Sequence, residues 1–328
     1  MNKPYFSIII PTRTMHSQIV DDLLPTLNVQ LFDDFEVFIT PDKTDKSDKK
    51  LEKSYPWLHI IEAKENKRPG IKRDICVQKS KGGVLVFIDD DVVPPKHWLK
   101  NAHRILKKDT SIAALGGPGI LPSNAPFWER VFDATLTTWL GSGLLTYRFQ
   151  KESARHVDDF PSMNLMIRKS TFLKTGGFDN GYWPGEDSKL LDKFADKNGG
   201  AIYYHPDVFV YHHRRDTLRG HLLQHKNYGK TRGLFAAQGD INSKHLIYLI
   251  PSLFIIYCLV AIVISLIVPS IVNIAFIPLF LYIGLLSYVF LKTSIGTESI
   301  LIGLGTVLVI PATHITYGLW YMIGYMRK

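Results

Sequence analysis

The stretch GGVLVFIDDDVVPP, residues 82–95, decides the fold class of this chain. Its first half, VLVFI at 84–88, is a short run of apolar and β-branched residues, which predicts a buried strand. Three aspartates follow directly, and on an extended chain Asp89 and Asp91 point the same way while Asp90 points aside. Two carboxylates held together repel each other unless a cation binds them, and Mg²⁺ or Mn²⁺ prefers such oxygen ligands. The sequence therefore predicts a divalent metal site at the end of this strand, with a solvated turn as the simpler alternative.

Strands and helices alternate on both sides of this stretch. Strands are predicted at 5–12, 35–40, 58–63 and 84–88, with helices between them. This alternation predicts an α/β domain with a mostly parallel, mixed sheet. Ligands of such sheets bind beyond the carboxyl ends of the strands, which places 11–13, 40–42 and 89–91 along one rim. No G-x-G-x-x-G motif follows the first strand and no Walker loop is present, so the sequence argues against a dinucleotide-binding or P-loop protein.

The density of charged residues falls sharply near residue 244. The residues up to this point contain 36 of the 39 Lys and Arg and 29 of the 30 Asp and Glu, whereas apolar segments follow at 246–268, 271–291 and 299–325. The first of these has no charge over 23 residues, enough for a helix to cross a hydrocarbon core of roughly 30 Å. We therefore predict a water-soluble domain at 1–210, an amphipathic interfacial segment at 211–244 and a transmembrane domain at 245–328.

The ends of the chain bear on its orientation. The apolar run in MNKPYFSIIIPTR is too short for a signal peptide, and basic residues precede the first apolar segment. The positive-inside rule then predicts a multi-pass protein of the inner membrane with residues 1–210 in the cytoplasm. The third apolar segment is interrupted by Pro311. It is predicted either to cross the membrane fully, which its length favours, or to form a re-entrant hairpin.

Four motifs occur in the order found in one enzyme family. FSIIIPTR opens the chain, GIKRDICVQKSKGGVLVFIDDD follows at 70–91, NLMIRKSTFLKTGGFD lies at 164–179 and GEDSKLLDKFADKNGG at 185–200. Over residues 5–215 the sequence resembles the inverting family 2 glycosyltransferases, which have a GT-A fold. The resemblance implies transfer of a sugar from a nucleoside diphosphate sugar, most simply a UDP-sugar, with Mg²⁺ or Mn²⁺ as cofactor.

The resemblance also assigns roles to individual residues. It implies that strand ends and one basic residue hold the donor: Pro11, Thr12, Arg13, Asp42, Arg73, Asp89 and Asp90. It implies metal ligands at Asp89 and Asp91 and at a histidine after the catalytic helix, for which His212 and His213 are the candidates. Glu186 and Asp187 match the catalytic acidic pair, with Asp187 as the base. The loop DKTDKSDKK at 42–50 departs from the tight acid and serine turn that is usual in the family.

The residues around Asp187 predict a helix without reference to the family. Leu190 and Phe194 recur at helical spacing and Gly199 is a predicted C-cap, which puts Glu186 and Asp187 in the first turn. A helix N-terminus favours an ionised carboxylate, so Asp187 is expected to stay deprotonated and to accept a hydroxyl proton. The simpler alternative is that both acids only satisfy the amides of the first turn.

A basic stretch precedes the first apolar segment. YHHRRDTLRGHLLQHKNYGKTRGLF at 211–235 mixes cations with leucines, which predicts an amphipathic helix in the membrane interface. Arg214, Arg215 and Arg219 are predicted to bind an acceptor phosphate, because guanidinium groups bind phosphate bidentately. The aromatic segment 126–149 is predicted either to rest on the bilayer or to pack under the sheet. No nucleic-acid motif accompanies the formal charge of +9, so lipid head groups and phosphates are the expected partners.

These features predict a membrane glycosyltransferase that transfers a sugar, with inversion, to a polyprenyl-phosphate or diphosphate-linked acceptor in cell-surface glycan assembly. A processive polysaccharide synthase is disfavoured, because three membrane segments offer little from which to build an export channel. Two alternatives stay open. One is a polyprenyl-phosphate monosaccharide synthase, and the other is a catalytically inactive membrane scaffold, which the presence of Asp89, Asp91 and Asp187 disfavours.

Overall fold

The computed structural model describes residues 3–64, 68–178, 181–198 and 202–327. The chain divides into two units. The sheet unit comprises Met1–Pro122 and Gln150–His213, and the helical unit comprises Ser123–Phe149 and Arg214–Lys328. The segment 123–149 therefore belongs with the C-terminal residues rather than with the predicted domain 1–210. The predicted C-cap Gly199 lies outside the described residues.

The described strands all belong to the sheet unit. They are β1 Phe6–Pro11, β2 Phe35–Thr40, β3 Leu58–Ile60, β4 Val84–Ile88, β5 Val92–Val93, β6 Ala114–Gly116, β7 Gly119–Ile120, β8 Arg155–Val157, β9 Asn164–Arg168, β10 Ile202–Tyr204 and β11 Val210–His212. Eight of them form one sheet in the order β3-β2-β1-β4-β9-β6-β10-β8. Strands β3, β2, β1 and β4 pair in parallel, whereas β9 is antiparallel to both of its neighbours. The sheet is mixed, as predicted.

Helices connect these strands and make up the helical unit. They are α1 Leu24–Asn28, α2 Lys46–Ser54, α3 Pro69–Lys79, α4 Trp98–Lys108, α5 Phe127–Thr137, α6 Trp139–Ser142, α7 Lys169–Thr175, α8 Glu186–Asn198, α9 Leu218–Gln238, α10 Leu246–Ile267, α11 Val272–Ala275, α12 Ile277–Gly296 and α13 Ile300–Tyr325. Of these, α5, α6 and α9 to α13 lie in the helical unit.

The centre of the sheet explains its apolar sequence. Every residue of β1 and of β4 is buried. Strands covered on both faces read as continuous apolar runs, which is the pattern of FSIIIP and VLVFI. Parallel pairing of β1 with β2 and β4 brings the carboxyl ends Pro11, Thr40 and Ile88 to the same edge of the sheet. The predicted rim is therefore formed.

A second, three-stranded sheet in the order β5-β11-β7 completes the rim. Strand β5 begins one residue after Asp91, and β11 ends at His212. The two strands pair antiparallel, with His212 opposite Val92. This pairing brings β11, which is distant in the sequence, next to the acidic cluster.

Three helical segments of the helical unit are long and apolar enough to cross a membrane, as predicted. They are Ile241–Ile267, Pro269–Gly296 and Ile300–Tyr325. The third is one continuous helix that runs through Pro311, so the hairpin broken at this proline is not formed.

Helix α9, whose leucines were predicted to face a membrane interface, buries other positions. Leu218 and Leu223 are exposed, while the buried positions include Gly229 and Gly233. A Cβ atom at Gly229 would lie 2.4 Å from the carbonyl oxygen of Tyr317 in α13. The helix therefore docks by close backbone approach to α13, rather than through a leucine stripe.

The aromatic segment 126–149 also packs on α13. Val131 and Phe132 of α5 share a buried cluster with Ile302 and Val309. The structure places this segment in the helical unit. Trp139 and Leu144 leave 67% and 72% of their surface exposed. They are available to a lipid surface.

Candidate active site

Three side chains at the rim form a candidate cation site. Asp89, Asp91 and His212 each offer one ligand atom, and these atoms lie within 4.8 Å of one another. Nε2 of His212 is 3.3 Å from Oδ1 of Asp91. His213 does not join this group in the described part of the chain. Of the two histidines proposed as ligands, the strand pairing brings only His212 to the aspartates.

The donor set suits a divalent cation. Two carboxylates and an imidazole are ligands that Mn²⁺ accepts and Mg²⁺ tolerates. Nδ1 of His212 is buried without a hydrogen-bond partner among the described residues. Desolvation raises the pKa of Asp89 and the charge of Asp91 raises it further, while Arg73 opposes both. A bound cation would relieve this repulsion, so the residues fit the metal that the sequence predicts.

Arg73 connects the cation site to the acidic pair. Its guanidinium donates to Asp89 at 3.0 Å and to Glu186 at 2.9 Å, and it stacks over the ring of Phe178. The side chain is 3% exposed, so neither charged contact is shared freely with water. Arg73 was predicted to contact the donor, but in the structure it bridges two carboxylates of the site.

Asp187 occupies the first turn of α8, as the sequence predicts. Its carboxylate accepts from the backbone amide of Ser188 at 2.8 Å. Burial raises the pKa of Asp187 to about 6, and the charges of Glu186 and Asp159 add to this effect. Burial and like charge therefore act against the helix N-terminus, which favours the ionised form, and the carboxyl group is still mostly deprotonated at pH 7. A pKa near 6 suits a general base at neutral pH.

The end of β1 is tied to the aspartate cluster. The hydroxyl of Thr12 donates to Asp90 at 2.5 Å, and Nε2 of His16 lies 3.1 Å from the same carboxylate. Thr12 is buried, as is Pro11 at the end of the strand, whereas Arg13 is exposed. Asp90 therefore turns away from the cation site, as expected from the alternation of an extended chain, and orders the loop after β1.

Asp42 has an equally defined partner. The ammonium of Lys72 donates to Asp42 at 2.5 Å and also to the carbonyl oxygen of Thr12. Lys72 is 2% exposed, and the amide of Asp42 donates to the carbonyl of Arg13. The ends of β1 and β2 are thus held together by one buried cation, in the position predicted for the nucleoside.

The three arginines predicted to bind phosphate lie in the helical unit and differ from one another. The side chain of Arg214 is 4% exposed, and its guanidinium donates to Asp133 through Nε at 2.9 Å and through an Nη at 2.7 Å. Its backbone amide donates to Glu129. The prediction for Arg214 is therefore not supported, since its charge is already neutralised by Asp133. Arg215 and Arg219 are exposed.

Sequence reasoning missed Lys72, His16 and Asp159. Lys72 and Arg73 follow each other in α3, and both are buried. Cations at positions that face the core are a usable signal, because a helix does not place charge there without partners. His16 and Asp159 carry no such signal, because their roles depend on contacts with Asp90 and Asp187 far away in the sequence.

Comparisons with known proteins show the family of this chain. The family description "Glycosyl transferase family 2" matches residues 7–174, more than half of the chain. Glycosyltransferase AglE of Haloferax volcanii is 22% identical over 227 residues, which cover 65% of this chain and 68% of that protein.

A solved structure supports the fold. Mannosyltransferase PcManGT from Pyrobaculum calidifontis, in complex with GDP-Man and Mn²⁺, aligns with a TM-score of 0.62 and 14% identity over 94% of this chain and 87% of its own. TarS 1–349 of S. aureus, in complex with UDP-GlcNAc, aligns with a TM-score of 0.49 and 19% identity over 69% and 65%. The fold is a GT-A-like mixed α/β domain followed by three apolar helices, and the chain belongs to glycosyl transferase family 2.

Proposed function

We propose that this protein is a metal-dependent, inverting glycosyltransferase of the cell's inner membrane, with the sheet unit in the cytoplasm. It transfers a sugar from a nucleoside diphosphate sugar to a polyprenyl-phosphate or diphosphate-linked acceptor. The observation that carries this proposal is the bridge from Asp89 through Arg73 to Glu186, beside Asp187. It joins a cation site and a base within one unit.

The residues divide the chemistry between them. Mg²⁺ or Mn²⁺ at Asp89, Asp91 and His212 would neutralise charge on the departing diphosphate. Asp187 accepts the proton of the acceptor hydroxyl. A pKa of about 6 leaves its carboxyl group mostly ionised at pH 7, which is the form that can accept a proton. Attack opposite the leaving group in one displacement inverts the anomeric carbon.

Donor and acceptor contact different residues in this proposal. The nucleoside lies at the ends of β1 and β2, where Thr12 and Asp42 are held by Asp90 and Lys72. The acceptor phosphate binds Arg215 and Arg219, whose side chains are exposed. Arg214 does not bind it, because Asp133 occupies its guanidinium.

A donor and acceptor screen tests the function. Purified full-length protein in lipid vesicles is given UDP- or GDP-sugars with Mn²⁺, and nucleotide release is measured without lipid, with polyprenyl phosphate and with a polyprenyl-diphosphate-linked sugar. We expect release that depends on the glycosylated lipid and that stops in excess chelator. Asp91→Ala should be inactive at any metal concentration, while the exposed control Asp207→Ala should behave as the unmodified protein.

The screen also separates the alternatives. Transfer to bare polyprenyl phosphate would identify a monosaccharide synthase. Full activity in chelator would remove the metal from the mechanism. No release with any donor would support an inactive scaffold.

A further inference from the structure

One exposed tryptophan lies beside the acidic pair. Trp183 leaves 58% of its surface exposed, whereas the other two tryptophans of the sheet unit, Trp57 and Trp98, pack in its core cluster. The indole N–H of Trp183 has no hydrogen-bond partner among the described residues. Tryptophan side chains are highly buried on average, because their apolar surface is large. An exposed tryptophan three positions before Glu186 is therefore a candidate contact for a ligand.

The loop that carries Trp183 is fixed to the same arginine at both of its ends. Phe178 is 4% exposed, and its ring lies under the guanidinium of Arg73, at 5.3 Å from Cζ to the ring centre. At the other end, Oε1 of Glu186 accepts from Arg73 at 2.9 Å. Trp183 is five positions after Phe178 and three before Glu186. The loop therefore starts and ends at the bridge that joins the cation site to the acidic pair.

The start of α8 limits how far Trp183 can lie from the proposed base. Four residues of extended chain span at most about 14 Å, so the Cα atoms of Trp183 and Asp187 are no farther apart than this. Gly185, whose φ of +115° favours glycine, leads into the helix. The ammonium of Lys189 in α8 lies 5.0 Å from the ring centre of Tyr182. The residue next to Trp183 is thus held by the helix that carries the base.

We propose that Trp183 binds the sugar ring of an acceptor that is already glycosylated. A general base must come within hydrogen-bond distance of the hydroxyl that it deprotonates, so the acceptor sugar lies against Asp187. One face of a pyranose ring carries mostly C–H bonds, which pack on an aromatic ring, while its hydroxyls accept from the indole N–H. The inference rests on the proposed function and narrows it, because it makes the acceptor a lipid-linked saccharide rather than a bare polyprenyl phosphate.

The position of Trp183 favours the acceptor sugar over the donor and over a lipid head group. In the proposed mechanism the donor diphosphate binds at Asp89 and His212, which come from other parts of the rim. The acceptor attacks from the side opposite the diphosphate, which is the side of Asp187. The carboxylates of Glu186 and Asp187 also disfavour a second phosphate close by, whereas a sugar is uncharged.

Ligand NMR tests the binding of a sugar without any transfer. Full-length protein in lipid nanodiscs is mixed with Mg²⁺, UDP or GDP, and the methyl pyranoside of glucose, galactose, mannose or N-acetylglucosamine, and saturation transfer to the sugar protons is measured. We expect at least one pyranoside to receive saturation that falls by at least about threefold in Trp183→Ala and is largely kept in Trp183→Phe. Leu173→Ala, which removes an equally exposed side chain of the sheet unit, is the matched control. Signals that do not depend on residue 183, or no signal from any of the four sugars, would overturn the inference.

Acceptor kinetics test the role of Trp183 in transfer. With a glycosylated polyprenyl diphosphate, Trp183→Ala should raise the acceptor KM by about threefold to tenfold, the range that one aromatic contact provides, and leave donor affinity unchanged. Trp183→Phe should restore most of the loss, whereas Trp183→Leu should not, because leucine has no flat ring. An equal rise in KM for bare polyprenyl phosphate, or weaker donor binding, would overturn the inference. If pyranoside binding depends on residue 183 but no lipid accepts a sugar, the sugar site stands and the proposed lipid acceptor is wrong.

Discussion

The sheet unit and the helical unit each contain a buried arginine held by carboxylates. Arg73 donates to Asp89 and Glu186, and Arg214 donates to Asp133 while its amide donates to Glu129. Their side chains are 3% and 4% exposed. The sequence assigns both to ligand binding, yet they differ in what their partners do.

The difference lies beyond the ion pairs. Asp89 also belongs to the candidate cation site, and Glu186 adjoins a carboxyl group with a raised pKa. Asp133 and Glu129 instead lie on one helix, α5, and fix it to the start of the segment leading to α9. A buried guanidinium is therefore not a phosphate site by itself. The other contacts of its carboxylates decide whether it serves chemistry or architecture.

The largest effect should come from Asp187, the proposed base. Asp187→Asn should slow transfer by about 10²–10⁴-fold, the range that general-base catalysis supplies, and leave donor affinity nearly unchanged. Single-turnover transfer and donor titration measure the two quantities. Asp192→Asn, on the same helix, is the matched control. A rate within threefold of the unmodified protein would assign the base to another residue, with Glu186 the first to examine.

Replacing each arginine in turn tests directly whether Arg73 and Arg214 have different roles. Arg73→Gln and Arg214→Gln each leave a partly buried carboxylate without its cation, so each should lower the free energy of unfolding by about 3 kcal/mol. Only Arg73→Gln should also change the Mn²⁺ concentration needed for half-maximal transfer. If Arg214→Gln shifts the Mn²⁺ requirement equally, the distinction between the two sites is lost.

The pH dependence of transfer reports on the same bridge. Because the pKa of Asp187 is about 6 and its ionised form is the base, kcat should fall as the pH drops through 6. Arg73 lowers this pKa, so the midpoint should move to higher pH in Arg73→Gln. Profiles of kcat at saturating Mn²⁺ and donor measure both midpoints. An unchanged midpoint in the variant would show that Arg73 has no electrostatic influence on the base.

The smallest effect is expected at the exposed arginines. Arg215→Ala and Arg219→Ala should each raise the acceptor KM by about twofold to fivefold, since exposed ion pairs contribute at most about 1 kcal/mol. Donor affinity should stay the same, and Arg104→Ala, an exposed arginine of the sheet unit, is the control. Weaker donor binding in either variant would place the nucleotide diphosphate at these residues.

The parts of the site that local sequence predicts are those carried by a single strand or helix turn. Asp89 and Asp91 follow from a buried strand that ends in charge, and Asp187 follows from the first turn of α8. His212 came from the family resemblance, because its contact with Asp91 depends on strand pairing across more than a hundred residues.

Properties that depend on tertiary packing could not be predicted from the sequence. The pKa of Asp187 depends on burial, and the neutralisation of Arg214 depends on where α5 lies. The leucines of helix α9 led to the prediction of a membrane-facing surface, which stays a prediction, while the face that the helix buries was not predicted. Leucine periodicity describes docking by side chains, whereas Gly229 and Gly233 allow backbone contact, which leaves no apolar pattern to read.

The close approach of α9 to α13 also determines when the helical unit can finish folding during synthesis. Gly229 and Tyr317 are 88 positions apart, and α13 leaves the ribosome after α9, α10 and α12. Until then α9 has no partner for its glycine face, although α10 and α12 have already been synthesised. The packing of the helical unit can therefore be completed only after α13 has been synthesised. Any chain that stops before residue 300 would be left with α5 and α9 uncovered.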